Sequence, residues 1–206
     1  AYRGHIFWDE LFIFPFLSLR MPTLTRALLL YRYRRLPEAR RAAHEAGFAG
    51  AMYPWQSGSN GREETQRLHL NPQSGRWNPD NTHRQRHINS AIAYNIWQYY
   101  QASDDREFLI SYGAEMMFEI ARFWASIATY KPAIDRYEIN GVMGPDEYHT
   151  DCRRNKADGD AQDEEGGVDN NAYTNLLAAW VLTRACDLVD LLPKIHCRHL
   201  CERISL

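Results

Sequence analysis

The chain has 206 residues, 45% of them hydrophobic, which is enough to bury a sizeable core in one domain. Its formal charge of −2, with 26 acidic against 24 basic residues, argues against nucleic-acid binding, because nucleic-acid-binding domains are basic overall. No run of about 18 apolar residues occurs, so no membrane span is predicted. The four cysteines lack the density of a disulfide scaffold and favour a reducing cytoplasm.

The first part of the chain predicts two helices followed by a long loop. Pro22 and Pro37 each open a helix, and Gly47 ends the second one. Residues 48–86 are rich in Gly, Pro, Asn and Ser and predict one continuous loop. Ordered loops of this length are usually functional.

Helical periodicity resumes at Ile88 and predicts helices over residues 88–101 and 106–127. The second helix follows the capping signal "ASDD" and has an apolar stripe at spacings of three and four residues. The stripe consists of Leu109, Tyr112, Met116, Ile120, Phe123 and Ile127.

Two irregular segments separate these helices from those at the end of the chain. Residues 137–143 predict a short β-hairpin around Asn140-Gly141, because Asn-Gly is the favoured pair of a type I′ turn. An acidic loop over residues 151–168 follows. Further helices are predicted over residues 171–190 and after Pro193.

This order of elements predicts an all-α fold. Helix pairs joined alternately by short and long loops favour part of an α/α toroid, with long functional loops forming a pocket at one end. The absence of βαβ alternation argues against nucleotide-binding α/β folds. An open helical bundle with ordinary loops is the alternative.

The loops concentrate groups that suit carbohydrate chemistry. Tryptophan faces stack on the C–H faces of sugars, while carboxylates and imidazoles bind sugar hydroxyls. A glutamate held in a rigid aromatic turn can have a raised pKa and donate a proton to a glycosidic oxygen. The candidate groups are Trp8, Asp9, Trp55, Glu63, Glu64, His87, Asp146, Glu147, Tyr148 and His149.

Structural alternatives exist for several of these residues. Trp8 can equally belong to the core, and at least one of Glu63 and Glu64 is expected to be a solvated charge. Asp146 can simply cap its turn. Three tryptophans within helical patterns are expected in the core: Trp97, Trp124 and Trp180.

The sequence predicts no metal site. His83 and His87 have the i, i+4 spacing of zinc ligands, but the glutamate of an H-E-x-x-H motif is absent. "HCRHLC" at 196–201 has no second ligand pair nearby, and "DGDAQDEEGG" lacks key positions of a calcium loop.

Several stretches, in order along nearly the whole chain, resemble glycoside hydrolase family 65. They are "GHIFWDELFIFPF" (4–16), "LLLYRYRRLPEAR" (28–40), "GAMYPWQS" (50–57), "AYNIWQYYQASDDREFL" (93–109), "GAEMMFEIARFWAS" (113–126), "GVMGPDEYH" (141–149) and "DNNAYTN" (169–175). The resemblance implies an (α/α)6 barrel. It further implies that residues 1–206 are part of that catalytic domain, without its N-terminal β-sandwich and second half.

The resemblance also assigns roles to individual residues. Glu147 of "GPDEYH" corresponds to the general acid, and Trp8 and Asp9 correspond to the motif that binds the glucosyl unit. Residues in motifs that line the same pocket are expected to bind substrate: Trp55, Glu64, His87, Tyr148 and His149.

The implied activity is inverting phosphorolysis of an α-glucosyl disaccharide, with trehalose or maltose as first candidates. Inorganic phosphate is the co-substrate, and no cofactor is expected. The expected partners are the disaccharide and phosphate, without nucleic acid or membrane. A homodimer is one expected assembly of the full-length protein. An inverting α-glucoside hydrolase of the same family and a non-catalytic remnant or split subunit are the alternatives.

Overall fold

Helices dominate the computed structural model, which describes residues 4–146 and 167–205. The helices predicted after Pro22, around Pro37, over 88–101, 106–127 and 171–190, and after Pro193 are confirmed. In chain order they are α1 (Glu10–Arg20), α2 (Pro22–Arg34), α3 (Leu36–Glu45), α4 (Ile88–Ser103), α5 (Arg106–Phe108), α6 (Ala114–Ile127), α7 (Ala172–Leu191) and α8 (Lys194–Ile204). None of the helices in these described ranges is long and apolar enough to cross a membrane.

The predicted helix over residues 106–127 contains a change of helical geometry. Asp105 caps its start by accepting a hydrogen bond from the backbone N–H of Phe108 at 2.9 Å. A π-helical turn, Leu109–Gly113, then joins α5 to α6. Gly113 lies against α4, since a Cβ atom there would be 3.1 Å from Cγ2 of Ile96. A side chain at this position would require the Ile96 side chain to shift by a few tenths of an ångström.

The core lies around α4 and α6. α4 packs against α1, α2, α6 and α7, and α6 also packs against α7. The predicted stripe faces this core, with Met116, Ile120 and Phe123 fully buried. Trp97 and Trp124 are also buried, as expected, because each lies on the inner face of its helix.

The prediction of one continuous loop over residues 48–86 is wrong. The segment contains an antiparallel hairpin, β1 (Leu68–Asn71) with β2 (Arg76–Pro79), and a 3₁₀ turn, Thr82–Arg84. The Asn71 side chain accepts hydrogen bonds from the backbone N–H groups of Gln73 and Ser74 and so closes the hairpin turn. The Gly- and Pro-rich composition of the segment hid this short hairpin.

The hairpin predicted around Asn140-Gly141 is also wrong. The second hairpin lies earlier and pairs β3 (Thr129–Lys131) with β4 (Arg136–Glu138). Its turn passes through Asp135, whose φ is +52° and whose carboxylate accepts a 2.6 Å hydrogen bond from the Tyr130 hydroxyl. Gly141 has a φ of +68°, but its bend leads Val142 to pair with Val168.

Candidate active site

Trp8 and Trp55 meet although they come from distant parts of the sequence. A bridge between Ile6 and Ser57 joins their segments through two backbone hydrogen bonds of 3.0 and 2.7 Å. The two indole rings lie 5.4 Å apart between centroids and are inclined by 48°. The bridge therefore builds an aromatic wall from Trp8 and Trp55, called here the tryptophan pair.

Buried Arg32 of α2 fixes the segment that carries Trp8. Its guanidinium is 2.9 Å from the Glu10 carboxylate at the start of α1 and donates to the carbonyl oxygen of Phe7 at 3.4 Å. Only 1% of Arg32 is exposed, so its guanidinium is shielded from water, whereas Glu10 is partly exposed. Asp9 occupies the N-cap position of α1, but its carboxylate makes no capping hydrogen bond. Asp9 is exposed, so its carboxylate is open to solvent.

Glu63 holds the backbone around Trp55. Its carboxylate accepts hydrogen bonds from the backbone N–H groups of Trp55 at 2.7 Å, Gln56 at 3.1 Å and Thr65 at 3.3 Å. Burial raises the pKa of the Glu63 carboxyl, while these hydrogen bonds oppose the rise. As whole residues, Glu63 and the neighbouring Glu64 are both exposed, although the Glu63 carboxylate is turned towards the backbone. Glu63 is distinguished by its three backbone hydrogen bonds, which organise the loop.

His87 packs against both rings of the tryptophan pair. Its imidazole is fully buried, with its ring centroid 4.9 Å from that of Trp8, 5.0 Å from that of Trp55 and 5.6 Å from that of Tyr173 in α7. Burial lowers the pKa of His87 to about 4, opposed by the nearby backbone of Met143. Neither ring nitrogen has a hydrogen-bond partner among the described residues. The imidazole is therefore neutral near pH 7.

A cavity of about 520 Å³ opens in front of the tryptophan pair. Its volume is within the range of small-molecule sites and its lining mixes apolar and polar groups. Trp8, Asp9, Trp55 and Glu64 line it, whereas His87 does not. The structure thus brings together four of the residues predicted to bind substrate.

The β1–β2 hairpin and the segments that flank it add lining residues that sequence analysis missed: Gln66, His69, Asp80, Asn81, Thr82 and Gln85. The Asp80 carboxylate accepts hydrogen bonds from the backbone N–H of Thr82 at 2.9 Å and from the Gln66 side chain at 3.2 Å. Burial opposes ionisation, but these bonds hold the pKa of Asp80 below its ordinary value. Polar residues placed just after a hairpin were the available signal, and recognising it required the hairpin.

The turn that leads to Glu147 borders the same cavity. Met143 and Pro145 contribute to its lining. Asp146 is exposed. The predicted site residues Glu147, Tyr148 and His149 lie outside the described residues. Among the residues that are described, no group of three or more His, Cys, Asp or Glu side chains is arranged to hold a metal ion.

A comparison with protein families matches residues 1–203 to the central catalytic domain of glycosyl hydrolase family 65. The chain belongs to this family. Its mostly helical fold with two small hairpins agrees with membership, and the cavity lies beside the stretches that carry the resemblance.

Among its curated relatives, an uncharacterized glycosyl hydrolase of Mycobacterium tuberculosis is 56% identical over 206 residues, covering 100% of this chain and 15% of the relative. Trehalose 6-phosphate phosphorylase of Lactococcus lactis is 44% identical over 190 residues, covering 92% of this chain and 23% of that enzyme. Kojibiose phosphorylase of Thermoanaerobacter brockii is 40% identical over 203 residues, covering 97% and 24% respectively.

A solved structure described as a putative kojibiose phosphorylase from human microbiome superposes with a TM-score of 0.76 at 25% identity. The match covers 100% of this chain and 24% of that one. The chain therefore spans about a quarter or less of the length of these relatives.

Proposed function

We propose that the chain is part of the (α/α)6-barrel catalytic domain of an enzyme that cleaves an α-glucosidic disaccharide by inverting phosphorolysis. The observation that carries the proposal is the cavity itself. One wall is the tryptophan pair, and another is the turn through Met143 and Pro145 that leads directly to Glu147. These contacts support a proposal in which the sugar binds beside the turn that precedes the acid in the sequence.

The glucosyl unit is proposed to bind against the tryptophan pair. Indole rings present flat apolar faces to the C–H groups of a pyranose, and the carboxylates of Asp9 and Glu64 accept hydrogen bonds from its hydroxyls. His69 and Asp80 on the hairpin side are further partners for a second sugar. His87 contributes through the rings it supports, because it is fully buried.

Bond cleavage in this proposal needs one protein acid and one phosphate. Glu147 gives its proton to the glycosidic oxygen while a phosphate oxygen attacks the anomeric carbon from the opposite face. The bond from that carbon to the glycosidic oxygen breaks, a bond to phosphate oxygen forms, and the released sugar keeps the proton. The products are β-glucose 1-phosphate and the acceptor sugar, and the phosphate replaces a catalytic base.

Hydrolysis is the second candidate. An inverting hydrolase needs a carboxylate base about 6.5–9.5 Å from the acid, with room for a water molecule. Asp80 lines the cavity and is held ionised by its hydrogen bonds, so it is the carboxylate of the described residues that best suits this role.

The names of the relatives favour phosphorolysis. Phosphorylases of trehalose 6-phosphate, kojibiose, 1,2-α-glucosylglycerol and α,α-trehalose are all 37% or more identical to this chain. These names differ in the acceptor joined to glucose. We therefore propose α-glucosyl transfer to phosphate as the common reaction, with trehalose or maltose as the first substrates to assay.

The test uses the longest polypeptide that contains these 206 residues, called here the full-length protein. Disaccharides are incubated with and without inorganic phosphate, and glucose 1-phosphate and free glucose are quantified. We expect glucose 1-phosphate, as the β anomer, only when phosphate is present. Equal release of free glucose in phosphate-free buffer would assign the protein to the hydrolases.

A further inference from the structure

The peptide at Gly141 is held by Arg84 on one side. The Arg84 guanidinium donates a hydrogen bond to the carbonyl oxygen of Gly141 at 3.2 Å. The backbone carbonyl of Arg84 accepts a hydrogen bond from the N–H of Met143 at 3.0 Å. One residue therefore fixes two points of the turn that borders the cavity.

Residues just before α7 also hold this turn. The N–H of Gly141 donates to the Asp169 carboxylate at 3.1 Å, and Val142 and Val168 exchange backbone hydrogen bonds of 3.1 and 2.7 Å. Gly167 touches Gly141 so closely that a Cβ atom there would lie 2.5 Å from the Gly141 carbonyl carbon. Only glycine fits at Gly167, and the Gly141 peptide has little room to move.

Arg84 also belongs to the segment that supports the tryptophan pair. It ends the 3₁₀ turn Thr82–Arg84, and His87, three residues later, contacts both indole rings. A single short segment thus contacts the sugar-binding wall through His87 and the turn through Arg84. The relative position of the wall and the turn depends on this segment.

We propose that Arg84 is a positioning residue that sets where the turn before Glu147 stands relative to the tryptophan pair. The inference rests on the proposed function, in which Glu147 must reach the glycosidic oxygen of a bound disaccharide. A displacement of about 1 Å in a reacting group can cost on the order of 100-fold in rate. Loss of the Arg84–Gly141 bond therefore affects proton donation more than sugar binding.

Arg84→Met and Gly167→Ala are each expected to displace the Gly141 peptide, by different means. Arg84→Met removes the side-chain hydrogen bond to Gly141 and keeps much of the aliphatic length, whereas Arg84→Lys keeps a donor. Gly167→Ala forces a Cβ atom against the Gly141 backbone. Matched controls are Arg106→Met, at a solvent-exposed arginine, and Gly47→Ala, where φ is +80° but no atom lies within 4 Å of the added Cβ.

Each full-length variant is assayed with phosphate on a disaccharide and on nitrophenyl α-glucoside, whose leaving group needs little protonation. We expect Arg84→Met and Gly167→Ala to lower kcat on the disaccharide by about 10- to 100-fold. We expect a much smaller loss on the nitrophenyl donor, little change in KM, and substantial recovery in Arg84→Lys. Thermal unfolding of every variant identifies any loss that comes from instability alone.

Glu147→Gln is measured in parallel and separates the two hypotheses. If Glu147→Gln selectively loses the disaccharide but Arg84→Met and Gly167→Ala lose both donors equally, the positioning role is refuted and the proposed acid stands. If Glu147→Gln itself lacks this selectivity, the proposed function fails, and the role of Arg84 fails with it. A lowered unfolding temperature with unchanged donor selectivity would also overturn the positioning role.

Discussion

The ring centroids of Trp8 and Trp55 lie 5.4 Å apart, and the imidazole of His87 contacts both indoles. Its centroid is 4.9 Å from that of Trp8 and 5.0 Å from that of Trp55. The imidazole edge meets each indole at a steep angle, 70° and 62°, as aromatic pairs prefer. These contacts hold the tryptophan pair at a fixed inclination. Preorganisation of this kind reduces the entropy lost when a ligand is immobilised.

Replacing Trp8 by leucine should weaken sugar binding. The substitution removes a flat ring that lines the cavity, and we expect the dissociation constant of the disaccharide to rise about 10-fold, equivalent to ~1.4 kcal/mol. Trp8→Phe should lose less because it keeps an aromatic face. Isothermal titration calorimetry of the full-length protein measures both. Trp77→Leu, at an exposed hairpin residue outside the cavity lining, is the control. An unchanged dissociation constant in Trp8→Leu would show that the Trp8 indole does not contact the sugar.

The neighbouring glutamates should respond in opposite ways. Glu63→Ala leaves three backbone N–H groups without their carboxylate partner, so we expect a loss of ~1–2 kcal/mol in unfolding free energy. Glu64→Ala removes an exposed carboxylate from the cavity, so substrate KM should rise while stability stays unchanged. Denaturant unfolding and steady-state kinetics distinguish the two. A stable Glu63→Ala with raised KM would instead make Glu63 a substrate ligand.

His87 should make the protein less stable in mild acid. Its pKa is about 4 in the folded protein, against 6.5 as the ordinary value, so the unfolded chain binds a proton more readily. This contribution to stability is present above pH ~6.5 and is lost as the pH falls towards 4. It amounts to roughly 3 kcal/mol at most.

The measurement is the unfolding temperature of the full-length protein and of His87→Phe between pH 7 and 4.5. His87→Phe keeps a ring but cannot be protonated, so its unfolding temperature should fall less steeply with acid. His44→Gln, at an exposed histidine, should retain the steep dependence. Identical slopes for His87→Phe and the unsubstituted protein would show that His87 is already protonated or accessible in the fold.

The helices were predictable because their signals are local. The stripe through Met116, Ile120 and Phe123 repeats at helical spacing, and those side chains are buried in the core. The meeting of Trp8 with Trp55 was suggested by residue type and family resemblance. The bridge between Ile6 and Ser57 that creates it is a long-range pairing without a local signal.

The errors arose where one turn signal fits two structures. Asn140-Gly141 favours a hairpin turn, but the positive φ of Gly141 serves a bend that is held by Arg84 and Asp169. Conversely, the β1–β2 hairpin has no Asn-Gly pair, and Asn71 closes it through side-chain hydrogen bonds. The polar part of the cavity lining that includes Asp80 could not be inferred before that hairpin was known.

The central claim is that Glu147 is the proton donor, and Glu147→Gln tests it most directly. Glutamine keeps the size and a hydrogen-bond donor but has no transferable proton. General acid–base groups contribute on the order of 10²–10⁴-fold, so disaccharide phosphorolysis should fall by about that factor while sugar binding survives. Turnover of nitrophenyl α-glucoside should fall much less.

Asp146→Asn is the matched control, since it makes the same carboxylate-to-amide change one residue earlier in the turn. It should reduce stability or the order of the turn without selective loss of the poor leaving group. The deciding quantity is the ratio of kcat on the disaccharide to kcat on the nitrophenyl donor. We expect this ratio to collapse in Glu147→Gln and to stay unchanged in Asp146→Asn. Equal losses on both donors in Glu147→Gln would contradict its role as the acid.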